Sequence, residues 1–393
     1  MIVIRKKNSA VRIGMLAGLM MMSCSSTPAI EESSQVETVE SILGEFERQL
    51  DKDVKDDNIQ GSLSAAVVKD DKIIWSKAFG YSNRDKKVRA DTNTVYRTGS
   101  VTKSVTAFLM MTLAEAGTIK LSDPVELYLP EIRNLKGYKD DHKITLAQLA
   151  GHTSGLNAEP DLRGLDDGPI EAWENKVLAA IPTTTSIAKP GERYAYSKIG
   201  YSILGLALSR AAHQSYIDLV QEKIFGPLHM NHSYFRFSEE NRTTLAQGLE
   251  GGPLGTIRTD VTEMELLGRG YKVPTGGLFS TANDLARFVI NNMGFSPLLK
   301  KESMDEMQSS KNPDRNSDDR NGYGFSFYQD KQVNLVEKAG GISGYTAKFS
   351  FDKDSHYGVV ILRNSNWGIT DINLRTIALM RNLNELSKRD HSN

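Results

Sequence analysis

Apolar positions recur at helical spacing from Val36 to Leu50 (Val36, Val39, Ile42, Leu43, Phe46, Leu50), which predicts a first helix there. Ser62–Val68 and Lys72–Phe79 are short β-type runs around the polar turn Lys69-Asp70-Asp71, and they read as a hairpin. Val101–Ala116 has the composition of a buried helix, stopped by Gly117. From 121 to about 269 helical patterns and loops dominate, with few convincing strands. Four β-type runs with short connections follow: Gly322–Tyr328, Gln332–Glu337, Tyr345–Phe351 and Tyr357–Leu362. Ile369–Leu386 closes the chain as an amphipathic helix. The expected fold is α/β in the α+β sense, with an antiparallel sheet built from both chain ends and flanked by the terminal helices. A mostly helical lobe, about 121–269, is inserted into a single domain, 36–393. A crevice between lobe and sheet is a common place for a site.

Bulk composition removes some function classes. The 393 residues carry a formal net charge of −1, so no basic excess points to nucleic acid. The one long apolar stretch, Ile13–Met22, follows Arg5, Lys6, Lys7 and Arg12. It is too short to span a bilayer and has the layout of an export signal. It ends at Met21-Met22-Ser23-Cys24, and Cys24 is the chain's only cysteine. That arrangement resembles a bacterial lipoprotein cleavage site. The expectation is a signal over 1–23, lipid attachment at Cys24 and a flexible tether over 24–35, rich in Ser, Thr, Pro and Glu. The protein is thus expected in the bacterial cell envelope, anchored on the periplasmic side of a membrane. With no other thiol, no intramolecular disulfide forms.

Candidate chemistry begins at Ser100-Val101-Thr102-Lys103. Residues i and i+3 share a helix face, so this spacing sets a hydroxyl beside an amine at a helix N-terminus. An acyl-transfer nucleophile needs that pair, with backbone N–H groups close by. A second such spacing, Ser186-Ile187-Ala188-Lys189, runs into Pro190-Gly191 and makes a poor helix. Two further segments carry matching chemistry. Tyr196-Ser197-Lys198 offers a phenol among cations, able to pass protons. Lys338-Ala339-Gly340-Gly341 offers a cation on a strand, then glycines that leave N–H groups open to an oxyanion or carboxylate. Taken singly these residues have plainer explanations: a helix cap at Ser100, a core-edge tyrosine, a solvated lysine. No Gly-x-Ser-x-Gly elbow occurs, and no His-Glu-x-x-His accompanies His229 and His232. His152 reads as a structural loop residue, and Gly276-Gly277 lacks the setting of a phosphate loop. No metal and no cofactor are expected.

In order and setting the three segments resemble those of the serine β-lactamases and penicillin-binding D,D-peptidases, in their class C and esterase-like branch. Ile144–Leu156 with its Gly151-His152-Thr153-Ser154-Gly155, Gly276–Ala286 and Ala339–Tyr345 are also similar to that family. The likeness runs from about Gly61 to the last helix. It implies Ser100 as nucleophile, with Lys103 and Tyr196 sharing the proton traffic in either order. It implies the Ser100 and Gly341 N–H groups as the oxyanion hole, and Lys338 as the site of a substrate carboxylate or a helper of Tyr196. Lys198 departs from the family's Asn, which would offer an amide to substrate and to the lysine. A third cation there either lowers the Lys103 pKa or pairs with a carboxylate, such as one on the loop Asn157–Pro169. The implied function is hydrolysis of D-amino-acid-containing, cell-wall-type peptides or amides. The alternatives are a carboxylesterase, a class C-like β-lactamase, or a non-catalytic envelope sensor of the same fold. The expected partners are a small-molecule or peptide substrate and, through the lipid, a membrane.

Overall fold

Thr38 starts the first helix, α1 (Val39–Asp56), with a capping box in which Thr38 and Ser41 bond reciprocally. The helix continues past the expected Leu50, because its polar tail is laced by the Lys52–Asp56 and Lys55–Asp51 pairs. The computed structural model describes residues 37–251, 256–260, 268–317 and 319–390, all within one compact unit, Glu37–Asn393. The expected signal, Cys24 and the tether lie outside the described residues.

The chain next forms β1 (Ser62–Lys69), β2 (Lys72–Asn83), β3 (Val88–Arg89) and β4 (Tyr96–Arg97). The helices that follow are α2 (Thr102–Glu115), α3 (Leu146–Ala150), α4 (Trp173–Ala180), α5 (Lys198–Ala211), α6 (Tyr216–Val220), α7 (Glu239–Arg242) and α8 (Val273–Gly276), with α3 to α7 in the inserted lobe. The lobe also holds a short ribbon, β5 (Glu250–Gly251) with β6 (Ile257–Arg258). After β7 (Phe279–Ser280) come α9 (Ala282–Asn292), α10 (Lys301–Met307) and the strands β8 (Ser326–Gln329), β9 (Asn334–Ile342), β10 (Tyr345–Phe351) and β11 (Tyr357–Arg363). The terminal helix is α11 (Ile372–Asp390).

The main sheet has the order β3-β2-β1-β11-β10-β9-β8, antiparallel throughout, so strands from both chain ends meet at the β1–β11 pair. Side chains alternate across it. Leu63, Ala65 and Val67 with Val359 and Ile361 pack on α1 and α11, against Ile42, Phe46, Leu50, Leu379 and Leu383. Ala66, Val68, Val360, Leu362 and Phe349 face the larger core under the lobe. Both faces of β1 and β11 are covered, which is why these strands read as nearly continuous apolar runs. The α+β architecture is the expected one. Several strand limits differ from expectation, among them the end of β2, which runs past Phe79 to Asn83. The run at Gly322–Tyr328 is strand only from Ser326, since Gly322 N and Phe325 O close a turn before it. The run ending at Glu337 continues to Ile342, because Gly340 and Gly341 stay in register with Ala347 and Thr346.

Candidate active site

Ser100 sits on a tight turn, Gly99–Val101, that leads directly into α2. The turn is held in place by β4, which pairs with β7 through Tyr96–Ser280 and Arg97–Phe279. On its other side β9 passes backbone to backbone. A Cβ on Gly340 would lie 2.0 Å from Thr98 O and 2.8 Å from Ser100 N, so only glycine allows the approach. A Cβ on Gly341 would meet nothing within 4 Å. β8 covers β9 only from Asn334 to Glu337, which leaves Lys338–Ile342 as an open strand edge beside Ser100.

α2 is buried almost all round, and its polar side chains are consumed in fixing it. Thr102 Oγ1 donates to Gly99 O at 2.7 Å and accepts from Leu278 N at 3.1 Å. Ser104 and Thr106 donate to Gly324 O and Pro274 O, each at 2.6 Å. Lys103 is left to the reaction centre. Its Nζ lies 3.2 Å from Ser100 Oγ and donates to Thr275 O at 2.9 Å. The Tyr196 hydroxyl approaches Ser100 Oγ from the other side, at 2.9 Å.

Electrostatics separates these groups. Lys103 is 0% exposed and, among the described residues, no carboxylate lies within ion-pair distance. Burial first, then the charges of Lys338, Lys198 and Lys272, push its pKa well below the ordinary 10.5, with Glu159 opposing. The amine is therefore suited to accept a proton. Burial raises the Tyr196 pKa above 10.0 against the pull of the Ser100 bond, with Glu159 adding to the rise, so the phenol keeps its proton and can donate. Lys338, also buried, is brought down to about 8 by desolvation, with Glu337 opposing. It stays cationic at neutral pH, 5.9 Å from the Tyr196 ring centre.

Tyr196 is gripped by His152, a residue the sequence marked only as part of a loop. His152 O accepts from Ala195 N at 2.8 Å, and its Nδ1 accepts from Ser197 N at 3.1 Å. The ring lies 4.4 Å from that of Tyr196. Burial, then Lys338 and Lys103, hold its pKa well below 6.5, so it is a neutral support. Its φ of 57° lets backbone and ring reach both flanks of Tyr196. Ser197 caps α5, accepting from Gly200 N at 3.0 Å and donating to Asn157 O at 2.8 Å.

Lys198, the departure from the family pattern, bonds Glu159 Oε1 at 2.6 Å, and Glu159 lies on the loop Asn157–Pro169. Its charge also acts on Lys103, so both effects expected of it are present together. Glu159, Tyr271, Lys272 and Thr275 were not singled out by the sequence, since nothing local marks them. The second Ser–Lys spacing takes no part: Ser186 and Ile187 are bonded through their backbone to Lys136 O and Gly155 O. Among the described residues no His, Cys, Asp and Glu group is arranged to hold a metal ion.

A family model described as Beta-lactamase matches residues 46–379. Protein flp of Staphylococcus aureus strain N315 is 27% identical over 333 residues, covering 83% of this chain and 64% of that protein. Beta-lactamase-like protein 2 of Dictyostelium discoideum is 29% identical over 351 residues, covering 87% of this chain and 63% of that protein. The chain thus spans a little under two thirds of the length of these curated relatives. The octameric penicillin-binding protein homologue from Pyrococcus abyssi superposes with a TM-score of 0.69 at 26% identity, over 82% of this chain and 74% of that one. The beta-lactamase/D-alanine carboxypeptidase from Yersinia pestis, complexed with citrate, gives 0.71 at 22% identity, over 89% and 99%, a likeness of fold.

Proposed function

The chain belongs to the Beta-lactamase family, and from that premise we propose that it is a serine hydrolase working through an acyl-enzyme on Ser100. Its proposed substrates are D-amino-acid-containing peptides or amides of the cell-wall type. The observation that carries this reading is the pair of groups on Ser100 Oγ: Lys103 Nζ at 3.2 Å and the Tyr196 hydroxyl at 2.9 Å. Lys103, whose pKa burial and the neighbouring cations push down, takes the Ser100 proton as Oγ attacks the substrate carbonyl. The Ser100 and Gly341 N–H groups receive the oxyanion, a contribution typically of about 10²–10³ in rate per donor. Tyr196 gives its proton to the leaving nitrogen, and the proton held by Lys103 replaces it. Water then releases the acyl group by the reverse path. On this reading Lys103 is the acylation base and Tyr196 the acid.

The substrate assignment is supported by the open edge of β9 and by the buried Lys338 cation upon it. An extended peptide can add to such an edge, with its terminal carboxylate on the cation. An envelope location, which rests on the residue pattern up to Cys24, would bring the site close to such peptides. A second reading, a carboxylesterase, is favoured by Lys198: held by Glu159, it offers no amide to a substrate peptide group. Three probes separate the readings: an N-acylated peptide ending in D-Ala-D-Ala, p-nitrophenyl butyrate and a chromogenic cephalosporin. Release of D-alanine by the wild type and not by Ser100→Ala supports the peptidase. Turnover of the ester alone supports the second reading. Equal activity in Ser100→Ala refutes both.

A further inference from the structure

Glu159 does not touch Ser100, yet its carboxylate joins the start of α5, just after Tyr196, to the turn before α8, whose carbonyl holds Lys103. Oε1 accepts from Nζ of Lys198, the first residue of α5, at 2.6 Å. The backbone of the same loop reaches the same point, since Lys198 N donates to Ala158 O at 2.9 Å. Oε2 accepts from the Tyr271 hydroxyl and lies 3.2 Å from Lys272 Nζ. Tyr271 and Lys272 immediately precede α8, whose Thr275 carbonyl holds Lys103 Nζ at 2.9 Å. Lys272 is also 3.3 Å from Asp166, on the loop of Glu159 itself. The charged and titratable groups facing Glu159 are thus Lys198 from α5 and Tyr271 and Lys272 from the turn before α8, with Asp166 behind Lys272.

We propose that Glu159 is a positioning residue, a single carboxylate that clamps the start of α5, which follows Tyr196, to the turn before α8 that orients Lys103, and so sets the proton path at Ser100. The proposal rests on the serine-hydrolase reading above. Glu159 and Lys198 are 38% and 41% exposed at their side chains, and pairs this exposed add little to stability. Their effect falls instead on the geometry and charge around Lys103 and Tyr196. Bonds from Lys198 and Tyr271 and the charge of Lys272 outweigh partial burial and keep the Glu159 pKa below 4.5, so the clamp is ionised at neutral pH. Glu159 also offsets the two cations nearest it. Without it, Lys198 and Lys272 would act on Lys103 uncompensated and depress its pKa further.

The test is the rate at which a fluorophosphonate labels Ser100, followed against pH in the whole protein, with melting temperature measured alongside. Glu159→Gln is expected to slow labelling about 10- to 100-fold, since a displaced proton-transfer group costs that much. It is also expected to move the rising limb of the pH profile to lower pH, with the melting temperature unchanged. Tyr271→Phe keeps the carboxylate and loses one bond to it, so labelling should slow by a smaller factor with the limb in place. An unchanged rate and limb in Glu159→Gln overturns the clamp. So does a slowing that only tracks loss of folded protein. A wild type that is not labelled at Ser100 overturns the serine-hydrolase reading and the clamp together, whereas a labelled wild type with an indifferent Glu159→Gln overturns the clamp alone.

Discussion

Lys348 and Lys103 are both buried, on opposite faces of the same sheet, and their surroundings differ in kind. Lys348, under α11, lies 2.8 Å from Glu337 Oε2 and donates to Asn373 Oδ1 at 3.0 Å. Lys103, under the lobe, meets a hydroxyl and a carbonyl, and the charges closest to it are mostly other cations. A buried charge that serves only the fold is paired, because leaving it alone is costly. A buried amine that is left unpaired has its pKa pushed down instead. The structural face of this protein follows the first rule and the Ser100 face follows the second. A buried, strongly perturbed amine beside a serine hydroxyl makes this face the candidate site on physical grounds, independent of any likeness to known proteins.

Exchanging the two lysines for methionine in turn is the strongest way to break the comparison. Lys103→Met should lower Ser100 labelling about 10²- to 10⁴-fold, the usual worth of a positioned proton-transfer group. Its melting temperature should hold or rise, because a desolvated amine has been replaced by an apolar chain of similar length. Lys348→Met should do the reverse. It strands Glu337 without its cation and should lower the unfolding free energy by about 3 kcal/mol in urea titrations, with labelling of the folded protein maintained. Loss of activity in Lys348→Met at full stability would remove the distinction between the faces.

A smaller test compares adjacent glycines on β9. Gly340→Ala puts a Cβ 2.0 Å from Thr98 O and must push the strand off the Ser100 turn. A shift of about 1 Å costs about 10²-fold in rate. Gly341→Ala meets nothing within 4 Å, so it should fold with an unchanged melting temperature and lose turnover mainly on bulky substrates. Similar losses of stability in both variants would mean that β9 does not press on the turn as described.

The smallest effect is a pH dependence of stability. His152 is 2% exposed, and its pKa in the folded state is held well below 6.5 by burial, then Lys338 and Lys103. Near pH 6.5 the unfolded chain takes up a proton that the folded chain refuses. The contribution is therefore fully present above that pH and is lost as pH falls toward the depressed folded value. The slope is at most about 1.4 kcal/mol per pH unit. Urea titrations at about pH 7 and about pH 5.5 should show the loss in the wild type and a flatter response in His152→Gln. Equal slopes would assign the acid sensitivity to other groups.

Legibility in the sequence follows the same division. The sheet and its terminal helices were readable because period-2 and period-3.6 patterns are local, as in α1, β1, β10 and β11. Ser100 and Lys103 were readable because i and i+3 are neighbours on a helix. The extension of β9 to Ile342 was not, since glycines carry no pattern and only pairing with β10 reveals it. Tyr96–Arg97 and Phe279–Ser280 are too short to register as strands, although their pairing seats the nucleophile turn. The contacts that hold the proton path join distant positions: Tyr271 and Glu159 are 112 residues apart, and Thr275 and Lys103 are 172 apart. No periodicity records such distances. Lys198 showed the difficulty from the other side: the sequence offered two effects for the cation, and the geometry contains both because Glu159 shares it.

The measurement that bears most directly on Ser100 is the intact mass of the protein after fluorophosphonate treatment near neutral pH, for the wild type, Ser100→Ala and Lys103→Met. A hydroxyl activated by the buried Lys103 predicts one adduct on the wild type, none on Ser100→Ala and much slower addition to Lys103→Met. An adduct that persists in Ser100→Ala, or one that forms as fast without Lys103, would contradict it.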